Sequence, residues 1–147
     1  MIAVDTNVLV YAHRSESSRH DRARLWLHHL AESAAPWGIP VFCLGEFVRI
    51  ATHRRVFDPP STIAQAIDAI DSLLESPSVR LLMPSGAHWS LLRAAIVAGV
   101  TAGNLVFDAQ IAAVCREHGV ECLLTEDRDF SRFKFLHVVT LSDEPAA

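Results

Sequence analysis

At 147 residues, half of them hydrophobic and a fifth charged, the chain has the length of one domain and enough apolar side chains for a core, which excludes a disordered chain. Seventeen acids against thirteen bases give a formal charge of −4, so bulk attraction to a polyanion is excluded and nucleic acid would need a local basic patch. Cys43, Cys115 and Cys122 form no C-x-x-C pair, Met1–Asp5 lacks the basic start of a signal peptide, and no apolar run reaches the roughly 20 residues of a membrane span, so reduced thiols and a cytoplasmic protein with no membrane partner are expected.

In chain order, Ile2–Val4 reads as a short buried strand ending at Asp5. Thr6 and Asn7 then cap a helix to His13, closed by the polar stretch Arg14–Arg19. A second helix over His20–Ser33 stacks Ala23, Trp26, Leu27 and Leu30 on one face. Pro36, Gly38 and Pro40 bracket a short element at Ile39–Phe42 that leads into a helix over Leu44–His53. Asp58-Pro59-Pro60-Ser61 is a stop followed by a fresh cap for a helix over Thr62–Glu75, and the strand Val79–Met83 and the helix Ala87–Ala98 follow. After a turn at Gly99–Gly103, Asn104 caps a helix to His118 that Gly119 terminates. Val120–Thr125 and Leu136–Leu141 are the last strands. Short apolar strands separated by helices predict a three-layer α/β/α sandwich around a mostly parallel sheet, as a single domain over residues 1–147.

In such sheets ligands bind at the carboxyl ends of the strands, and acids fall there twice: Asp5 after the first strand, and Asp127 with Asp129 after Val120–Thr125. Two helix acids sit where the period demands apolar side chains. Asp108 shares a stripe with Leu105, Ile111, Ala112 and Cys115, and Glu46 lies beside Cys43, Phe47 and Ile50. Each alone is satisfied by a salt bridge or a cap, but four inward carboxylates call for a shared cation, and four of them would account for the whole formal charge of −4. The eight histidines are scattered, as surface or rim residues. An all-oxygen donor set suits Mg²⁺ or Mn²⁺ rather than Zn²⁺, as one or two ions. Bases surround the acids: Arg14 and Arg19 after the first helix, Arg49, Arg54 and Arg55 after Glu46, and Arg128, Arg132 and Lys134 around Phe130, Phe133 and Phe135. Arg14, Arg49, Arg128 and Arg132 are the phosphate-binding candidates, and the three Phe residues are either stacking platforms or core anchors.

These residues together resemble the PIN-domain nucleases, and more narrowly the VapC-type toxins of bacterial toxin–antitoxin pairs. The likeness rests on Val4-Asp5-Thr6-Asn7, on Glu46, on the block from Gly103 to Ala113 around Asp108, and on Leu123-Leu124-Thr125-Glu126-Asp127-Arg128-Asp129-Phe130. The resemblance implies a small α/β/α ribonuclease whose acidic quartet is Asp5, Glu46, Asp108 and Asp127. Asp129 would support the metal or the substrate, and Thr6, Asn7 and Thr125 would orient the quartet. It also implies an RNA substrate, often transfer RNA, a VapB-type antitoxin that lays an Arg-bearing segment into the acidic crevice, and a homodimer. The helices at 20–33, 44–53 and 62–75 offer apolar surface for the latter. Carboxylate-held metal would lower the pKa of its water and make hydroxide available near neutral pH, without a nucleophilic side chain.

Two other readings compete. A catalytically silent PIN-like module would bind RNA or a partner without cutting. An aspartate-based phosphohydrolase would need a Lys at the end of a later strand and a D-x-D pair after the first, whereas the only Lys is Lys134 and no such pair follows Asp5.

Overall fold

Strands of three or four residues with apolar side chains on both sides are stable only when helices cover both faces of their sheet. The computed structural model, which describes residues 1–146, builds this arrangement in chain order from β1 (Ile2–Val4), α1 (Thr6–His13), α2 (His20–Glu32), β2 (Trp37–Pro40), α3 (Val41–Ala51), α4 (Ile63–Leu74), β3 (Val79–Leu82), α5 (His88–Gly99), α6 (Leu105–Glu117), β4 (Cys122–Leu124) and β5 (His137–Val139). The strands pair in the order β3-β2-β1-β4-β5, every pair parallel. Right-handed crossovers then place α1 to α4 on one face and α5 and α6 on the other. The packing agrees, α1 against α2 and α3, α3 against α4, and α5 against α6.

The order reverses direction at β1, because β2 and β3 extend the sheet to one side and β4 and β5 to the other. That switch point opens a crevice beyond the carboxyl ends of β1 and β4, where ligands bind in open α/β sheets. The register aligns Val4 with Leu124, so Asp5 and Thr125 leave the sheet side by side, and the Asp5 amide still donates to the Leu124 carbonyl at 3.1 Å. Ala3, Val4, Ile39, Leu123 and Leu124 are fully buried beneath them. The floor of the crevice is thus the middle of the core.

Three local expectations shift. The second strand is Trp37–Pro40 rather than Ile39–Phe42, anchored by the Trp37 indole N–H donating to Ser78 Oγ at 3.2 Å, and α3 starts at Val41, three residues before the predicted Leu44. Asp5, not Thr6 or Asn7, is the residue flanking α1, and no side chain caps that helix. The cap after the proline pair is Thr62, which closes a reciprocal box with Gln65, while Ser61 is buried and bonded to His13. Asn104 flanks α6 as expected, but its side chain makes no capping bond. Gly119, at φ +66°, ends that helix in the left-handed region that glycine enters without steric cost. Among the described residues, no helix is long and apolar enough to cross a membrane.

Candidate active site

Asp5 is 5% exposed, and each of its oxygens is fixed. The Thr125 hydroxyl donates to Oδ2 at 2.8 Å, the Asn7 amide reaches the same oxygen at 3.3 Å, and the Cys43 thiol donates to Oδ1 at 3.7 Å. Thr125 is itself fully buried, and its oxygen accepts from Asn7 Nδ2 at 3.1 Å and from the Asp127 amide at 3.0 Å. Asn7 closes the ring by accepting the Glu126 amide on Oδ1 at 3.3 Å. One hydroxyl and one carboxamide therefore tie the end of β1 to the loop after β4. The Thr6 hydroxyl makes the equivalent tie to α3, donating to Glu46 Oε2 at 2.9 Å. Thr6 and Asn7 look like helix caps in the sequence, but their side chains serve the carboxylates.

The other acids face the same crevice. Asp108 projects from the first turn of α6 and is half-buried, Asp127 follows β4, and Asp129 opens the 3-10 turn at Arg128–Arg132, its amide donating to Asp127 Oδ1 at 2.9 Å. One carboxylate oxygen from each of Asp108, Asp127 and Asp129 lies within 4.8 Å of the other two. Asp5, at the end of β1, and Glu46, on α3, lie outside that tight set. Among the described residues one cation reaches the five acids, Arg49, whose Nη2 stands 3.8 Å from Glu46 Oε1 on the same exposed helix face.

Burial and, after it, clustered negative charge show in the protonation equilibria. Asp108 is pushed up to about 7, first by burial and then by the charges of Asp127, Asp5, Asp129 and Glu46. Asp5 is pushed up to about 6, mainly by burial. The Thr125 hydroxyl and the Thr6 amide pull it down, and Glu46 and Asp127 push it further up. Folded protein therefore keeps these protons to higher pH than the unfolded chain, whose carboxyls release them near the ordinary value of 3.8. Their contribution to stability is complete below that value and is lost as pH rises through about 6 to 7. Metal-free protein should accordingly melt at a lower temperature at pH 8 than at pH 5, and Mg²⁺ or Mn²⁺ should raise the melting temperature more at pH 8. Calorimetric melts with EDTA and with each ion check this, and a metal-free protein whose stability climbs over the same range would contradict it.

The donor set is all carboxylate oxygen, converging without an Arg or Lys among Asp108, Asp127 and Asp129, and that chemistry fits a hard divalent cation. These three acids, together with Glu46 and Arg49, line a cleft of about 820 Å³ whose remaining walls include Phe42, Asn104, Phe107 and Gln110. None of those four is among the site residues expected from the sequence. The available signal was Phe107, a bulky aromatic side chain lying off the apolar stripe of α6, which is 63% exposed. Cys43 is also a contact of Asp5 rather than only a core thiol, one turn before Glu46 on the same helix face.

The predicted phosphate-binding bases divide into two kinds. Arg14 is held by Glu16, Ser61 Oγ at 3.1 Å and the Pro59 carbonyl at 2.9 Å, over the Phe57 ring. Arg132 donates to the Gly99 carbonyl at 2.9 Å and so ties the turn after β4 to the end of α5. Both guanidinium groups are spent on holding loops. Arg49 and Arg128 are exposed, and Arg49 lines the acidic cleft. Phe130 and Phe133 are buried, which makes them core anchors rather than stacking platforms. Lys134 is outside the cleft and donates to the Ser131 carbonyl. Of the histidines expected at the surface, His13 is half-buried on Ser61 and His88 is half-buried on Glu117 at 2.8 Å.

Comparison with known proteins places this geometry in context. The PIN domain family matches residues 2–136. Ribonuclease VapC43 of Mycobacterium tuberculosis is 40% identical over 137 residues, 92% of each chain. The fold is shared with VapC20 of the same organism, described as a Sarcin-Ricin loop cleaving toxin, at a TM-score of 0.63 and 24% identity over 89% of this chain and 93% of that one. It is also shared with VapBC2 of Rickettsia felis, solved bound to a DNA fragment from its promoter, at a TM-score of 0.66 and 21% identity over 95% and 98% of the two chains.

Proposed function

The chain belongs to the PIN-domain family, and from that premise we propose that it is a metal-dependent endoribonuclease of the VapC type, a toxin that cuts RNA and is neutralised by a VapB-type antitoxin. The observation that carries this reading is the acidic cleft, lined by four carboxylates from three separate segments, with the charge of the buried Asp5 also acting on Asp108 and Arg49 as the one cation beside them among the described residues. Relatives named as VapC ribonucleases and a fold shared with a VapBC complex support the activity and the partner. The family match over 2–136 supports one domain across the chain. Exposed Ile63 and Ile67 on α4 support the homodimer.

Asp108, Asp127 and Asp129 would hold the ion, with Asp5 and Glu46 completing the site from the β1 side. A bound Mg²⁺ or Mn²⁺ supplies acidified water and positive charge against a phosphodiester. The chain's own work is positioning. Thr125 and Asn7 fix Asp5, and Thr6 fixes Glu46, so these carboxylates present set oxygens without reorganising. Asp108, which gives up its proton only near neutral pH, is a carboxyl whose proton a cation readily displaces. Arg49, exposed in the cleft beside Glu46, would meet a backbone phosphate.

Among the cleft's described lining residues there is no Ser, Cys, Thr or Lys to attack phosphorus. The reading takes water acidified by the carboxylate-held ion as the nucleophile, and in-line attack would then leave a 5′-phosphate and a 3′-hydroxyl. End-group mapping of cleaved RNA tests this: ligation to an adaptor that requires a 5′-phosphate should succeed without prior kinase treatment, and products ending in a 2′,3′-cyclic phosphate would contradict it. Lys134 turned away from the cleft counts against the aspartate phosphohydrolase.

A further inference from the structure

One feature of the cleft is not used by the acids or by phosphate contacts. Phe107 is 63% exposed although it is a large apolar side chain, and it lines the same cleft as Asp108, its neighbour in the chain. Asn104, which flanks α6, and Phe107 and Gln110 within it follow one another at intervals of three and line the cleft beside the inward-facing Asp108. The side-chain amides of Asn104 and Gln110 also line the cleft, and neither is used in a hydrogen bond among the described residues. Arg49 joins them from α3.

An exposed aromatic flanked by unpaired amides and an Arg has the chemistry of a nucleobase subsite, since every base offers a π-face to stack and a polar edge to read. Resting on the ribonuclease reading above, we propose that Phe107 is a specificity residue that stacks the unpaired nucleobase next to the scissile phosphate. Asn104 and Gln110 read the edge of that base, and Arg49 holds its phosphate. A second copy of the chain is the other occupant an exposed Phe could have. The four carboxylates lining the same cleft disfavour it, because a two-fold interface there would bring two like-charged clusters together, and interface cores are depleted of charge.

The test combines a protein variant with a modified substrate. After the cut position has been mapped on a defined single-stranded RNA, an abasic nucleotide is walked through the positions flanking the cut. Phe107→Ala and Phe107→Tyr are compared with the unmodified chain for kcat and KM in Mn²⁺, and for RNA binding with Ca²⁺ in place of Mn²⁺. Phe107→Ala should raise KM by about 5- to 150-fold with kcat little changed, Phe107→Tyr should restore the original KM, and Mn²⁺ affinity should stay unaltered. At one flanking position the abasic substitution should weaken the unmodified chain by the same factor and leave Phe107→Ala unaffected, because both remove the same stack. Unchanged KM in Phe107→Ala, or equal losses from the abasic site in both proteins at every position, would overturn the proposal. So would light scattering that shows Phe107→Ala converting a dimer to a monomer, which would assign the residue to a second copy. The Ca²⁺ binding series separates this proposal from the reading it rests on: a chain that binds RNA with the Phe107-dependent coupling but never cuts would keep the subsite and reject the nuclease.

Discussion

Asp108→Asn should lower the rate of RNA cleavage by about a thousandfold or more, since a carboxylate lost from a metal site removes several kcal/mol of transition-state stabilisation, and yet the metal-free variant should be the more stable protein at pH 8. The two effects have one cause. Asp108 sits in the first turn of α6, where a negative charge is ordinarily favoured, but burial and four neighbouring carboxylates still push its proton release up to about 7. Ionising it in the absence of metal therefore costs free energy that an uncharged amide of the same shape does not. Because the side chain is only half-buried, solvent screens part of that cost and the gain in stability is modest. At pH 5 the difference should shrink, since the folded wild-type group is then protonated. Single-turnover cleavage and denaturant melts in EDTA at both pH values check the pair of effects. A variant that keeps a tenth of the activity would remove Asp108 from the site, and one less stable than wild type at pH 8 would show that its charge is compensated.

Thr125→Val should damage both stability and activity although it keeps the shape of the side chain. The hydroxyl is fully buried, donates to Asp5 at 2.8 Å and accepts from Asn7 at 3.1 Å and the Asp127 amide at 3.0 Å. A valine leaves a buried carboxylate oxygen with only the longer Asn7 contact and leaves the part-buried Asp127 amide without its acceptor. A buried group left unpaired costs about 1–3 kcal/mol, and the part-buried amide adds less, so the melting temperature should fall by roughly 3–12 °C. Loss of a residue that orients a metal-holding carboxylate typically costs about 10- to 100-fold in metal affinity or activity. Thr125→Ser, which keeps the hydroxyl, should recover most of the Mn²⁺ affinity. Wild-type melting and wild-type Mn²⁺ titration in Thr125→Val would show that the hydroxyl does not hold the site together.

The layer order and the crevice were legible in the sequence because they rest on local signals: short apolar runs, each followed directly by Asp5 or by Thr125–Asp127, and inward acids on a helical period. The start of α3 was not. From Ile39 to Leu44 the chain is almost continuously apolar, with no Ser, Thr, Asp or Asn to mark a helix start, so the boundary after Pro40 is set by pairing of β2 with β1 and β3. Thr6 and Asn7 were identified with the site only through the family resemblance, since a hydroxyl and an amide at the start of a helix look like caps and their acceptors, Glu46 and Thr125, are remote in the chain. The same distance hid part of the fate of Arg14 and Arg132, which reach the carbonyls of Pro59 and of Gly99 at the end of α5. Phe107 is not legible as a cleft residue because a Phe within a helix reads as core, and its exposure beside Asp108 follows only from the packing of α6.

The most direct measurement is cleavage of a mixed RNA pool by the purified, antitoxin-free chain in EDTA, in Mg²⁺ and in Mn²⁺, with Asp5→Asn as the control. The account predicts cuts that appear with either metal, vanish in EDTA and vanish in Asp5→Asn while that variant still melts cooperatively. An RNA pool left intact under all three conditions by folded wild-type protein that binds no Mn²⁺ in calorimetry would contradict it, and the cleft would then belong to a binding module that cuts nothing.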